Sequence, residues 1–203
     1  MSAADWDRRY TDDARVRAWA ETPNRLLVAE TEDLVPARAL DLACGMGRNA
    51  IWLAEQGWTV TAVDFSPVGI AHARERAAAH EVEVDFVLDD VVGYVPAPGS
   101  FDLVLVFYLQ LPARELRAVL SRAAEAVAPG GTFLLVGHDL HNLAEGVGGP
   151  SSADVLYTPD DVVAAIDGHG LEVVRAERVR RDVAGEPRDA IDCLVRATRP
   201  APA

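Results

Sequence analysis

The sequence predicts an α/β fold: a doubly wound, mostly parallel sheet with helices on both faces. Three observations predict it. From Arg38 onward, short apolar runs alternate with helical patterns, and glycine or proline punctuates the joins. The run Phe101–Val106 is apolar at nearly every position, as a strand buried on both faces requires. The last two strand patterns are joined by a polar loop too short for a helical crossover, so they should pair antiparallel.

The elements follow in order. Residues 1–35 are expected to form an N-terminal helical cap, with Val16 and Trp19-Ala20 on one face and Pro23 breaking the run. Asn24 caps a second helix over Arg25–Asp33, which stops before Pro36. Residues 36–200 form the sheet domain. Its first strand is Ala39–Ala43, followed by a helix from Arg48 to Gln56 that ends at Gly57. The second strand is Thr59–Val63. Ser66-Pro67 opens the next helix, through Ala79, with proline at its first position. Strands follow at Val82–Leu88 and Phe101–Val106, a helix at Ala113–Val127, and a fifth strand at Thr132–Val136. The stretch from Gly137 to Thr158 reads as a long irregular loop, a kind that tends to be functional or disordered. Thr158-Pro159-Asp160-Asp161 starts a helix that closes at Gly168–Gly170. The final strands are Leu171–Val179 and Ala190–Ala197, joined by a polar loop over Arg181–Arg188.

Composition narrows the function. The chain has 203 residues, half of them hydrophobic, enough for a real core. The net charge of −13 argues against a nucleic-acid partner, because phosphate binding needs a basic surface. All 19 basic residues are arginine. That excludes a Walker lysine, a Schiff-base lysine and the lysine of a Tyr/Lys reductase. The polar start MSAADWDRRY reads as no signal peptide, and no run approaches the ~20 apolar residues of a membrane helix. Two distant cysteines, Cys44 and Cys193, and no zinc-like spacing fit a reduced, cytoplasmic setting without a metal.

The segment Ala39–Asp64 carries the chemistry. An apolar strand meets the turn Gly45-Met46-Gly47, then a helix, then a second strand that stops on an acid. That order describes a nucleoside-binding half-site. Asp64 follows Asp41 by 23 residues, close to the ~20-residue offset at which a carboxylate meets a ribose hydroxyl pair. Glycine lets the backbone turn sharply and approach a ligand, and the helix start offers free N–H groups.

With DLACGMGRNA from Asp41, VDFSP from Val63, FVLDDV from Phe86, FDLVLV from Phe101 and APGG from Ala128, the chain resembles class I S-adenosylmethionine-dependent methyltransferases. The likeness spans about residues 5–197. WDRRY, PNRLL, GRNA and VGHDL give a narrower resemblance to the small tellurite-resistance and thiopurine-type enzymes. The resemblance implies a Rossmann-like seven-stranded sheet in the order 3-2-1-4-5-7-6, the last strand antiparallel. It implies S-adenosylmethionine as cofactor and a small molecule as methyl acceptor.

It also implies roles for particular residues. Gly45 and Gly47 let the turn pass under the methionine part of the cofactor, and Asp41 orders this loop or meets the cofactor amine. Asp64 accepts both ribose hydroxyls. Phe65 lies on the adenine face, unless it is a core residue. Asp89 and Asp90 compete for the adenine amino group; register favours Asp90, with Val91 offering its backbone N–H. Adjacent strand residues point to opposite faces, so only one acid can serve. Arg48, at a helix start, meets the cofactor carboxylate or stands on the surface. Trp6 and Tyr10, four apart on a helix, roof the cofactor or pack the first helix. Cys44 reads as a small core residue.

The acceptor side is thinner. FYLQLP after the fourth strand lacks the Asn/Asp-Pro-Pro-aromatic motif of DNA-amino methyltransferases, and Phe107 stands where metal-dependent catechol-type enzymes carry an acid. Tyr108 and Gln110 are candidate substrate-pocket residues. His138 is the candidate general base for an acceptor that must lose a proton, or a polar wall of the pocket. Gly137–Thr158 and the N-terminal helices are expected to form a lid that orders on binding. Two other readings stand beside this one. A nicotinamide-dependent oxidoreductase would need a fuller G-x-G-x-x-G than Gly45-x-Gly47 followed by Arg48, Asn49 and Ala50. A non-catalytic cofactor-binding protein would keep the first half-site alone.

Overall fold

The computed structural model describes residues 2–13 and 21–202. The expected face of Val16 and Trp19-Ala20 lies outside the described residues. The strands are β1 (Arg38–Leu42), β2 (Thr59–Asp64), β3 (Asp85–Leu88), β4 (Phe101–Phe107), β5 (Val127–His138), β6 (Glu172–Arg181) and β7 (Ala190–Thr198). They form one seven-stranded sheet in the order β3-β2-β1-β4-β5-β7-β6. β2 pairs in parallel with β1 and β3, and β4 with β5; β7 pairs antiparallel with β5 and β6. The expected α/β sheet, its strand order and its antiparallel end are all present. The chain divides into two compact units, Met1–Val95 and Pro96–Ala203.

The first unit holds β1–β3 with α1 (Ala3–Asp12), α2 (Arg25–Thr31), α3 (Arg48–Glu55) and α4 (Pro67–Ala79). Leu40, Ala62 and Val63 on the strands, and Leu27, Leu53 and Ala73 on the helices, have no exposed surface. Each Leu or Val so buried contributes about 1.5–3 kcal/mol. The caps read from sequence form. Asn24 Oδ1 accepts from Leu26 N at 2.8 Å, and Ser66 Oγ from Gly69 N at 2.9 Å ahead of Pro67. β3 begins at Asp85, three residues later than expected, because Val82 N is taken by Ala77 O in closing α4.

The second unit holds β4–β7 with α5 (Ala113–Ala126), α6 (Asn142–Glu145) and α7 (Pro159–Ile166). Leu103, Val104, Leu105 and Val106 are fully buried, which explains the unbroken apolar run. β5 is longer than expected: Val127 already pairs with Phe101, and the Pro-Gly-Gly stretch is a register shift inside the strand. The Gly137–Thr158 segment is not wholly irregular. It contains α6, a 3-10 turn at Ala153–Val155 and a bridge between Asp139 and Tyr157. Asn142 ties it down, accepting from Ile191 N at 2.7 Å and donating to Gly148 O at 2.7 Å. Thr158 opens α7 with a capping box closed by Asp161.

Candidate functional site

The first cluster stands at the carboxyl ends of β1 and β2. The chain leaves β1 through Ala43, Gly45 and Gly47, all left-handed at φ 63°, 57° and 76°. A Cβ on Gly45 would stand 2.9 Å from the Tyr10 hydroxyl, and one on Gly47 would meet Ala73 at 3.0 Å and the Phe86 ring at 3.2 Å. Both glycines therefore answer to conformation and to close approach. Asp64, buried, anchors the turn: its Oδ2 accepts from Gly45 N at 2.8 Å and its Oδ1 from Ser66 N at 2.9 Å. Each oxygen keeps a second lone pair. Burial pushes the Asp64 carboxyl up, against the pull of the Ser66, Gly45 and Phe65 amides.

Asp41 differs. It is 1% exposed, and neither carboxylate oxygen has a hydrogen-bond partner. Burial raises its pKa from 3.8 to about 7; the Arg48 charge opposes this and Asp64 reinforces it. The Ala50 amide also pulls the value down, short of a full hydrogen bond; a buried acid without a hydrogen-bond partner favours a ligand or a proton.

Tyr10 is buried on the glycine turn. The Trp6 ring lies 5.5 Å from it and carries the Arg9 guanidinium at 5.2 Å. Asp7 fastens α1 to the start of α4, accepting from the Ser66 hydroxyl and from Val68 N at 3.4 Å. Trp6 and Tyr10 thus share a face, as their spacing predicts. Arg48 and Phe65 are half-buried. Asp89 and Asp90 lie past the end of β3, just ahead of a turn at 91–93, so strand alternation does not choose between them. Asp90 is exposed and its Oδ1 accepts from Val92 N at 2.9 Å, while Val91 is buried.

The second cluster stands at the carboxyl ends of β4 and β5, the strand ends beyond which open α/β sheets bind ligands. Tyr108 takes the left-handed conformation, φ 53°, immediately after β4, a strain of about 1–3 kcal/mol for a non-glycine residue. Its ring centroid lies 4.9 Å from that of His138. Between strands, His138 on β5 stands opposite Asp192 on β7. Asp192 was not foreseen, nor was Arg181, yet they organise the cluster. Asp192 is fully buried, and its Oδ2 accepts from the Tyr108 hydroxyl at 2.8 Å and from Arg181 Nε at 2.7 Å. Arg181 Nη2 is 3.4 Å from Oδ1, and its guanidinium lies 5.8 Å from the Tyr108 ring centroid. Burial alone would raise the Asp192 carboxyl; His138, Arg181 and Tyr108 together hold it below the usual carboxylate value. Gln110 is half-buried and makes no hydrogen bond with this group. The one available sequence signal was an acid inside the apolar run AIDCLV.

Nearby, Asp139 is also fully buried. Its Oδ1 accepts from His141 N at 2.8 Å and faces His141 Nδ1 at 2.9 Å. Both cysteines are free and buried, and burial raises both thiols, so neither is poised as a nucleophile. Among the described residues no group of three His, Cys, Asp or Glu is placed to hold a metal ion. No helix of the described residues is long and apolar enough to cross a membrane.

Comparison with known proteins finds similarity over the segment that carries the first cluster. A methyltransferase domain model matches residues 39–131, which include Asp41, Gly45, Gly47 and Asp64. A ubiquinone biosynthesis O-methyltransferase of Methylobacterium nodulans is 28% identical over 178 residues, 81% of this chain and 70% of that protein. Other curated relatives match over about half their own length, 49% for an enzyme of that name from Xanthomonas campestris. Two solved structures share the fold. TehB from Haemophilus influenzae has TM-score 0.73 at 16% identity, over 96% of this chain and 67% of its own. Magnesium protoporphyrin IX methyltransferase from Synechocystis, with S-adenosylmethionine bound, has TM-score 0.67 at 18% identity, over 98% and 92%. The chain is thus similar to S-adenosylmethionine-dependent methyltransferases, with a methyltransferase domain matched over residues 39–131.

Proposed function

We propose that this protein transfers a methyl group from S-adenosylmethionine to a hydroxyl-bearing small molecule by in-line displacement. The observation that carries the reading is the buried Asp41 carboxylate without a hydrogen-bond partner, beside a glycine turn held by Asp64. These residues fit the cofactor. Asp41 would meet its ammonium, and the spare lone pairs of Asp64 would accept the ribose hydroxyls. Gly45 and Gly47 would pass beneath it. Asp90, Val91 and Phe65 would meet the adenine, Arg48 the carboxylate, and Trp6 and Tyr10 would cover the site. Bound S-adenosylmethionine supplies a methyl already activated by the sulfonium charge. The protein's own work is to position the acceptor and keep water out.

His138 and Tyr108 are the acceptor-side residues, with Gln110 close to Tyr108 in sequence. The small acceptor is supported by the net charge of −13, which disfavours a nucleic acid. Its oxygen is supported by relatives named as O-methyltransferases. Two reduced thiols are consistent with a cytoplasmic setting. Calorimetry with S-adenosylmethionine and with NAD tests the cofactor: binding of the first alone is expected, and binding of NAD alone would overturn it. Formation of S-adenosylhomocysteine is then followed across phenols, thiols, amines and oxyanions. Turnover of phenols is expected; turnover confined to thiols would refute the oxygen acceptor.

A further inference from the structure

We propose that Asp192 is a positioning residue for His138, holding the imidazole with its proton on Nδ1 so that Nε2 takes the proton of a hydroxyl acceptor. The inference rests on the methyl-transfer reading and deepens it by assigning the acid behind the base. Four observations carry it. His138 Nδ1 is the buried ring nitrogen and has no other partner, and Asp192 Oδ1 faces it at 3.5 Å. Asp192 Oδ2 accepts from Tyr108 and Arg181 Nε, whereas Oδ1 accepts from Arg181 Nη2 at the longer distance of 3.4 Å and is the oxygen turned to the imidazole. The register that sets His138 opposite Asp192 belongs to two central strands, not to a loop, so the pair is held by the sheet. Gly149 packs against the ring at the same nitrogen: a Cβ there would lie 2.9 Å from Nδ1. What remains accessible of the His138 side chain, 15%, leaves Nε2 as the working nitrogen.

At 3.5 Å the pair lacks hydrogen-bond alignment, and such contacts tighten when a ligand seats. An ionised acid behind an imidazole fixes the tautomer and stabilises the imidazolium that forms. The step balances. The acceptor O–H bond breaks and its proton passes to Nε2. The oxygen's electron pair forms the new C–O bond, and the carbon–sulfur pair stays on sulfur as a neutral thioether. A thiolate, which carries no proton, would have no use for this pair. His141 and Asp139 offer no equivalent, because their contact spans two residues and shares its oxygen with the His141 backbone.

Imidazole nitrogen NMR of the full-length, labelled protein at pH 8 tests the assignment, with His138→Gln identifying the His138 signals. The expected result is a neutral ring protonated at Nδ1, moving toward Nε2 protonation in Asp192→Asn. An Nε2–H tautomer in the unaltered protein overturns the proposal whether or not the variant folds. With catechol as the phenol probe, His138→Gln and Asp192→Asn should each lower kcat by about 10²–10⁴-fold, with little change in KM. The double variant should lose no more than His138→Gln alone. Equal loss from Asp192→Asn with and without His138 would mean a merely structural acid and would refute the role. His141→Gln should leave turnover as it is. Calorimetry with S-adenosylhomocysteine reports on the parent reading separately: no binding sinks methyl transfer, whereas the tautomer decides Asp192.

Discussion

Asp41→Asn is the sharpest probe of the cofactor cradle, because it exchanges an ionisable group for a neutral one of equal shape. Burial raises the Asp41 pKa from 3.8 to about 7. In that interval the folded chain holds a proton that the unfolded chain has released. Stability is therefore fully present below pH 3.8, falls as pH rises, and levels off above about 7. At about 1.36 kcal/mol per pKa unit, the full loss is about 4 kcal/mol. Between pH 5 and 8 the protein should lose about 2–3 kcal/mol relative to Asp41→Asn. Urea unfolding followed by tryptophan fluorescence, without cofactor, measures both proteins at both pH values. Comparing the two cancels the titrating groups that Asp41 does not touch; Asp64, coupled to it, adds to the difference in the same pH range. The same substitution should weaken S-adenosylhomocysteine binding, since the ligand ammonium loses its counter-charge. A stability difference that is identical at pH 5 and pH 8 would refute the reasoning, because a carboxylate already ionised and solvated would behave that way.

Three further outcomes are expected. Asp64→Ala should weaken S-adenosylhomocysteine affinity by at least tenfold in calorimetry, about 1.4 kcal/mol, and unchanged affinity would remove Asp64 from the ribose. Gly137→Ala sets a Cβ 1.9 Å from the buried Tyr157 hydroxyl; it should destabilise by about 1–3 kcal/mol or more in urea, with partial relief from a second change, Tyr157→Phe. Thr158→Ala removes the capping box of α7 and should cost about 1 kcal/mol of stability without altering S-adenosylhomocysteine affinity; a changed affinity would tie α7 to the ligand.

The fold was legible because buried parallel strands leave uniform apolar runs and because glycine, proline and cap residues mark the joins. The cofactor half was legible for a related reason. Asp41, Gly45, Gly47 and Asp64 fall within one strand-turn-helix-strand unit, so local order fixes their neighbourhood. Sequence could name Asp41 but could not reveal that both its oxygens lack partners. It also misplaced the rule for Asp89 and Asp90, which alternate only if the strand continues, and β3 stops at Leu88.

The acceptor half was only partly legible, because its organising contacts run between distant segments. Tyr108, His138, Arg181 and Asp192 come from four stretches: strand register sets His138 opposite Asp192, while Arg181, opposite Ala190, reaches back to Asp192 with its side chain. Arg181 looked like the start of a polar loop because it ends β6. Asp192 carried a clue that composition did not weigh. An acid within AIDCLV must be buried with the strand, and a buried carboxylate is tolerated only with donors or charges around it. Tyrosine meets that need at Oδ2, and arginine at both oxygens. Beyond that satisfaction, Oδ1 also faces the buried Nδ1 of His138 at 3.5 Å, on a side chain that keeps 15% of its surface exposed. The same logic separates it from Asp139, whose bonded oxygen serves the turn that contains it.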